Sequence, residues 1–226
     1  MQYFWLNKTK ENNKLIVFLN GWGMNETPVK HLKYNDFNVL ILFDYKNLEF
    51  NFKEFEFDKY EKKYLISWSM GVYVVSLFKN VFNSFDKKIA INGTTKIIDD
   101  DFGIPKKIYN ITTKYLNEES RDKFIKNMFD NGKLNPNITI TRELPELKDE
   151  LISIQKIVLK DELGFDTAII SKNDKIVPYK NQLNFWQNKA LIKEINATHC
   201  PFEEYSAWSE LLWLTKIWLK RNLKIV

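Results

Sequence analysis

The chain has 226 residues, 44% of them hydrophobic and 15% aromatic, enough for one large domain or a domain with a small insertion. Its 34 basic and 29 acidic residues leave a formal charge of +5, mostly lysine and not gathered into a basic block, which argues against a nucleic-acid partner. A single cysteine excludes an internal disulfide, and with only two histidines a Cys- or His-rich metal site is not expected. No run reaches membrane-spanning length, and the amino-terminal stretch lacks an apolar signal core, so a soluble, cytoplasmic protein with no membrane partner is expected.

In chain order, "KLIVFLN" (14–20) reads as a buried strand ending in the glycine turn "GWG". "FNVLILFDY" (37–45) and "KYLISWS" (63–69) are further apolar runs, followed by "KKIAINGT" (87–94), "FDTAIIS" (165–171) and "ALIKEI" (190–195). Continuous rather than alternating apolarity marks strands covered on both faces, as in parallel sheets. Helical spacing appears at 70–82 and again at 204–223, where Trp and Leu positions form a stripe with lysines opposite. Strands alternating with helices define an α/β fold: a mostly parallel central sheet with helices on both faces.

Residues 106–160 break this rhythm. They hold no strong strand but two charge-mixed helical segments, "NEESRDKFIKNMF" and "LPELKDELISIQKIV", separated by the break "NGKLNPN" at 131–137. The expectation is a helical cap, 106–160, inserted into a core made of 1–105 and 161–226.

Ser69 sits in Ser67-Trp68-Ser69-Met70-Gly71, at a strand-to-helix junction. A nucleophile elbow reads G-x-S-x-G because the turn is tight and needs small flanking residues. Ser67 replaces the first glycine and Gly71 keeps the second. The same serine could simply cap the following helix. A serine nucleophile needs a base, and the base needs an orienting acid. His199 in "NATHCPF" and Asp174 in "SKNDKIVP" each follow a predicted strand, in the Ser, Asp, His order this architecture uses. Asp44, after the second strand, is the second choice of acid. Acyl transfer also needs two N–H groups facing the carbonyl oxygen. Met70, next after Ser69, and Trp22 of the "NGWGM" turn are placed to supply them. Cys200 adjoins His199, but neighbours on a loop rarely face each other, so a Cys–His dyad is not favoured. His31 is expected to be an exposed structural residue on a short helix.

With "FLNGWGM", "LISWSMGVYV", "AINGT", "FGIP", "NDKIVP" and "THCPF" together, the chain resembles an α/β-hydrolase. More particularly it resembles the BioG-type pimeloyl-[acyl-carrier protein] methyl ester esterases of biotin synthesis. The resemblance spans nearly the whole chain. Its elbow and triad are shared by many hydrolases, whereas "SWSMGV" joined to "AINGT" and a following "GIP" is more particular. It implies a serine carboxylesterase without cofactor or metal, with Ser69 as nucleophile, His199 as base and acid, and Asp174 as orienter. It also implies an acyl carrier protein bearing pimeloyl methyl ester as partner and substrate. Of the three arginines, Arg121, Arg142 and Arg221, the first two fall in the cap. Either is a candidate contact for the phosphopantetheine phosphate or an acidic carrier surface, ordinary surface salt bridges being the alternative. A serine esterase or thioesterase of other acyl specificity, or a non-catalytic binding protein on the same fold, also fits the sequence.

Overall fold

The computed structural model describes residues 1–129 and 138–213. Within them, seven strands form one sheet: β1 (Gln2–Asn7), β2 (Lys14–Leu19), β3 (Phe37–Phe43), β4 (Lys62–Trp68), β5 (Lys87–Ile91), β6 (Thr167–Ser171) and β7 (Leu191–Ile195). Their order across the sheet is β1-β3-β2-β4-β5-β6-β7. Six of these strands are the apolar runs read from the sequence, and all six pair in parallel. The seventh, β1, lies antiparallel along the outer edge of β3. Its Tyr3-Phe4-Trp5 run has strand propensity, but its outer residues are exposed, so the buried-strand pattern is missing.

β2, β3 and β4 are almost wholly buried, as continuous apolar strands between two layers must be. Right-handed crossovers put the β2–β3 connection on one face and the later ones, which run the opposite way across the sheet, on the other. Residues 202–208 cover the first face. There Phe18 of β2 meets Phe202 and Trp208 with ring centroids 5.6 and 5.4 Å apart. A phenylalanine cluster built on Phe52, Phe57, Phe82 and Phe85 joins the 50–60 segment to the helical stretch after β4.

That stretch is not one continuous helix. It runs as α1 (Met70–Val74), a 3₁₀ turn (Val75–Phe78) and α2 (Lys79–Phe82), and the change of pitch falls beside the β-branched pair Val74 and Val75. Between β5 and β6 come α3 (Lys106–Lys114), α4 (Glu118–Asn127) and α5 (Leu144–Gln155). α4 begins with a capping box in which the Asn117 side chain and Ser120 satisfy each other's backbone N–H groups. α6 (Tyr179–Trp186) connects β6 to β7, and α7 (Trp208–Leu212) ends the described chain. The "NGKLNPN" break, the later part of the 204–223 helix and Arg221 lie outside the described residues. His31 stands in a turn instead of a helix, exposed, with Nε2 3.1 Å from the Phe202 carbonyl oxygen. Among the described residues no helix is long and apolar enough to cross a membrane.

α1 starts so close to the end of β2 that a Cβ at Gly71 would lie 2.4 Å from the Leu19 carbonyl oxygen and 2.7 Å from that of Asn20. Backbone cannot yield as a side-chain tip can. Gly71→Ala is therefore expected to cost about 2 kcal/mol or more, read as a lower urea midpoint. An unchanged midpoint would contradict this close approach.

Candidate active site

The strands deliver their loops to one edge of the sheet, the carboxyl edge where α/β folds collect ligand sites. β4 leads into Ser69, β6 into Asp174, β7 into His199 and β2 into Trp22. Ser69 has φ 54° and ψ −120°, a conformation that a residue with a Cβ adopts only at a cost. Its N–H donates to the Ile91 carbonyl at 2.9 Å, pinning the turn to β5. The side chain makes no capping bond to α1. Its Oγ lies 2.9 Å from His199 Nε2 instead.

His199 Nδ1 is 2.8 Å from Asp174 Oδ2. An ionised carboxylate only accepts, so Nδ1 carries the proton and Nε2 turns its lone pair to Ser69. Asp174 is itself saturated with donors. Oδ1 accepts from the Ile176 and Val177 N–H groups at 2.8 and 2.9 Å, and Oδ2 accepts a second bond from Gln182 Nε2 at 2.9 Å. The His199 and Asp174 side chains are essentially inaccessible to solvent, so these bonds do not compete with water.

Three residues that sequence reasoning did not assign hold this chain in place. Trp68, whose role the sequence left open, donates from Nε1 to the His199 carbonyl at 2.8 Å. Asn92, in the "AINGT" motif after β5, sets Nδ2 3.0 and 2.9 Å from the Thr198 and His199 carbonyl oxygens and 2.8 Å from Ser171 Oγ, three acceptors sharing its two hydrogens. Its Oδ1 accepts from the Ser171 N–H at 2.8 Å. Gln182 on α6 bonds Asp174 and also donates to the Val177 carbonyl at 2.8 Å. A buried-strand tryptophan and a strand-end asparagine are visible in the sequence, but nothing there ties them to a loop more than a hundred residues away.

Ser69 and Met70 open onto a cavity of about 380 Å³ whose walls also include Trp22, Ile104, Ile108, Ile111 and Phe124. The exposed side chains of Ile108, Ile111 and Tyr115 are accounted for here, since all three face this space. Trp22 is a lining residue whose Nε1 donates to the Leu147 carbonyl at 2.9 Å. Among the described residues, the backbone N–H groups of Trp22 and Met70 make no hydrogen bond. Among the described residues the cations in the cavity wall are Lys123 and Lys175, which were not singled out in the sequence.

The two arginines of 106–160 stand in different settings. Arg142 is no surface contact: its side chain is 8% exposed and bridges Asp44, 2.7 Å away, and Glu150. A guanidinium held between two buried carboxylates cannot reach a partner's phosphate, and the expectation is corrected for this residue. Arg121 pairs with its neighbour Asp122 at 3.0 Å and does not line the cavity. Asp44 is taken by Arg142, Lys46 and Gln2, which leaves Asp174 as the acid on His199. Cys200 is buried, which pushes its thiol pKa up and keeps it protonated. Among the described residues no group of three or more His, Cys, Asp or Glu side chains is placed to hold a metal ion.

A parallel sheet with one antiparallel edge strand, carrying serine, acid and histidine on the loops after β4, β6 and β7 at its carboxyl edge, defines an α/β-hydrolase fold. A lipase-esterase related protein from Clostridium acetobutylicum shares that fold at 14% identity, with a TM-score of 0.64 over 100% of this chain and 99% of that one. The family described as pimeloyl-ACP methyl esterase BioG matches residues 2–211, and the chain belongs to it. The crystal structure of BioG from Haemophilus influenzae superposes with a TM-score of 0.81 at 27% identity, over 93% of this chain and 99% of that one. An uncharacterized H. influenzae protein is 30% identical over 214 residues, 89% of this chain and 95% of its own length. A malonyl-[acyl-carrier protein] O-methyltransferase from Bacteroides fragilis is 36% identical over 179 residues, 76% of this chain, and the match spans only 36% of that longer protein.

The tether on His199 makes a prediction. Asn92→Ala leaves the buried Ser171 side chain and N–H and two loop carbonyls short of a partner together, and should cost about 2–4 kcal/mol. Urea denaturation checks it, and an unchanged midpoint would contradict this assignment.

Proposed function

We propose that the protein is a serine esterase that hydrolyses the methyl ester of pimeloyl-[acyl-carrier protein], the closing step of pimeloyl synthesis for biotin. The observation that carries the reading is the Ser69 Oγ, His199, Asp174 relay, with bonds of 2.9 and 2.8 Å, on a strained turn at the wall of an apolar cavity. Residues 106–160 act as the cap over that cavity. Its volume of about 380 Å³ falls within the range of small-molecule sites, and its isoleucine-rich wall suits a straight acyl chain.

In this reading Ser69 Oγ bonds to the ester carbonyl carbon as its proton passes to His199 Nε2. Asp174 steadies the resulting imidazolium. The Trp22 and Met70 N–H groups face the oxygen that gains negative charge. The carbon–methoxy bond then breaks, the proton returns from His199 to the departing oxygen, and methanol leaves. Water repeats the sequence on the acyl-enzyme, releasing the free carboxylate and restoring Ser69. The Bacteroides fragilis relative supports this substrate class. It is named for placing a methyl group on a carrier-bound acid, and an ester formed in that way needs a hydrolase to remove it.

Ser69→Ala is expected to abolish labelling by a fluorophosphonate probe and to lower kcat by about 10⁴-fold or more. The wild-type protein, and not the variant, should restore growth without biotin to a strain lacking its own pimeloyl esterase. Labelling without rescue by well-expressed protein would favour an esterase or thioesterase of other specificity. No labelling of folded wild type would overturn the enzyme reading in favour of a binding protein.

With Arg142 buried, Lys123 and Lys175 take over as the contacts assigned to the phosphopantetheine phosphate. Replacing both by alanine should raise KM for a carrier-bound ester by about fivefold, equivalent to roughly 1 kcal/mol. The rise should exceed that seen with a small p-nitrophenyl ester. Equal changes for the two substrates would remove the lysines from carrier recognition and leave Arg121 as the remaining candidate.

A further inference from the structure

The buried face of α5 consists of Leu147, Glu150, Leu151 and Ile154, helical spacing with a glutamate in the apolar stripe. Glu150 is 0% exposed and does not line the cavity. Among the described residues its partners are all donors: the Tyr45 N–H at 2.8 Å, the Gly23 N–H at a long 3.4 Å, and the Arg142 guanidinium. Two of those partners lead to the "NGWGM" turn. Gly23 belongs to it, with φ 75° and so little room that an added Cβ would sit 3.3 Å from Leu147 Cδ2. Tyr45 reaches it through its hydroxyl, which donates to the Asn20 carbonyl at 2.8 Å. One helical turn earlier on α5, the Leu147 carbonyl takes the Trp22 indole N–H. The turn is thus gripped at its start through Tyr45 and at its centre by α5, and Glu150 joins the two grips.

We propose that Glu150, ionised and neutralised by Arg142, is a positioning residue that sets the 20–24 turn and so aims the Trp22 backbone N–H at the reacting carbonyl. The inference rests on the oxyanion role given to that N–H above. A carboxylate suits the place because it offers acceptor positions on both oxygens. Glutamine would offer one oxygen, and its NH₂ would face a donor, so either the Tyr45 side or the Gly23 side would be left unmet. Burial raises the Glu150 pKa, with Arg142 and the Tyr45 N–H opposing that rise. The other charged or titratable groups around it are Asp44 with its partner Lys46, the hydroxyls of Tyr45 and Tyr109, and the Met1 amino group. Removing the Arg142 charge would raise the Glu150 pKa further.

The test uses the whole chain, a small p-nitrophenyl ester, and rates expressed per active site titrated with a fluorophosphonate, so that unfolded protein does not count. For Glu150→Gln the expected result is a fall in kcat of about tenfold or more with KM within about twofold, short of the 10²–10³-fold that loss of an oxyanion donor costs. For Arg142→Met, kcat relative to wild type should be lowest at acid pH and climb as pH rises and Glu150 ionises. That climb is a signature that mere anchoring of α5 would not produce, and it decides the matter if Glu150→Gln yields no titratable sites. An unchanged kcat per site in Glu150→Gln, or a flat pH ratio in Arg142→Met, would overturn the role of Glu150. Wild type that does not label, or Ser69→Ala that does, brings down the serine-hydrolase reading itself, a result distinct from labelled variants with normal kcat.

Discussion

The site depends on the backbone of Ser69, which is held at positive φ. Such a conformation costs of order 1–3 kcal/mol in a residue with a side chain and persists only where the surroundings leave no alternative. Here the surroundings are specific. The Ser69 N–H is committed to the Ile91 carbonyl, and α1 must begin hard against the last carbonyls of β2, which only glycine at 71 permits. With the chain turned in this way, the hydroxyl projects from the sheet edge towards His199 instead of folding back onto the helix it precedes.

His199 is fixed by a different device. A histidine on a loop would wander, and this loop is held by its own backbone: the His199 carbonyl accepts from Trp68 on the strand that carries Ser69, and from Asn92 at the end of the next. Ser69 and His199 are therefore referenced to the same two strands, so relative motion between them is restrained at both ends. Asp174, with all its donors supplied by residues 176, 177, 182 and 199, fixes the tautomer without needing solvent. Each of these buried bonds holds Ser69, His199 and Asp174 in one arrangement without competition from water.

Between α5 and the end of β3, the buried carboxylates of Asp44 and Glu150 share Arg142. Buried ion pairs give little net stability after desolvation, but breaking one side is costly. Their value lies in joining parts that must keep register. In this molecule they tie α5 to the end of β3 and, through the Gly23 N–H on Glu150, to the 20–24 turn.

Much of this was legible in the chain alone. Six parallel strands show as continuous apolar runs because a strand buried on both faces has no polar side to display. Ser69, Asp174 and His199 show as a set because each follows such a run, in the order that loops at one sheet edge require. The antiparallel β1 was missed because an edge strand with exposed aromatics lacks that signature. The interruption of the 70–82 helix was missed because its apolar spacing continues through the 3₁₀ turn. Tertiary structure alone decided the fate of Arg142, which looks like a surface cation in a charged segment until folding brings Asp44 against it from 98 positions earlier. It alone gave Trp68, Asn92 and Gln182 their partners, and it alone set Lys123 and Lys175 in the cavity wall. The division has a physical cause: periodicity and turn chemistry are written locally along the chain, whereas a buried hydrogen bond or ion pair exists only once distant segments have met and shed their water.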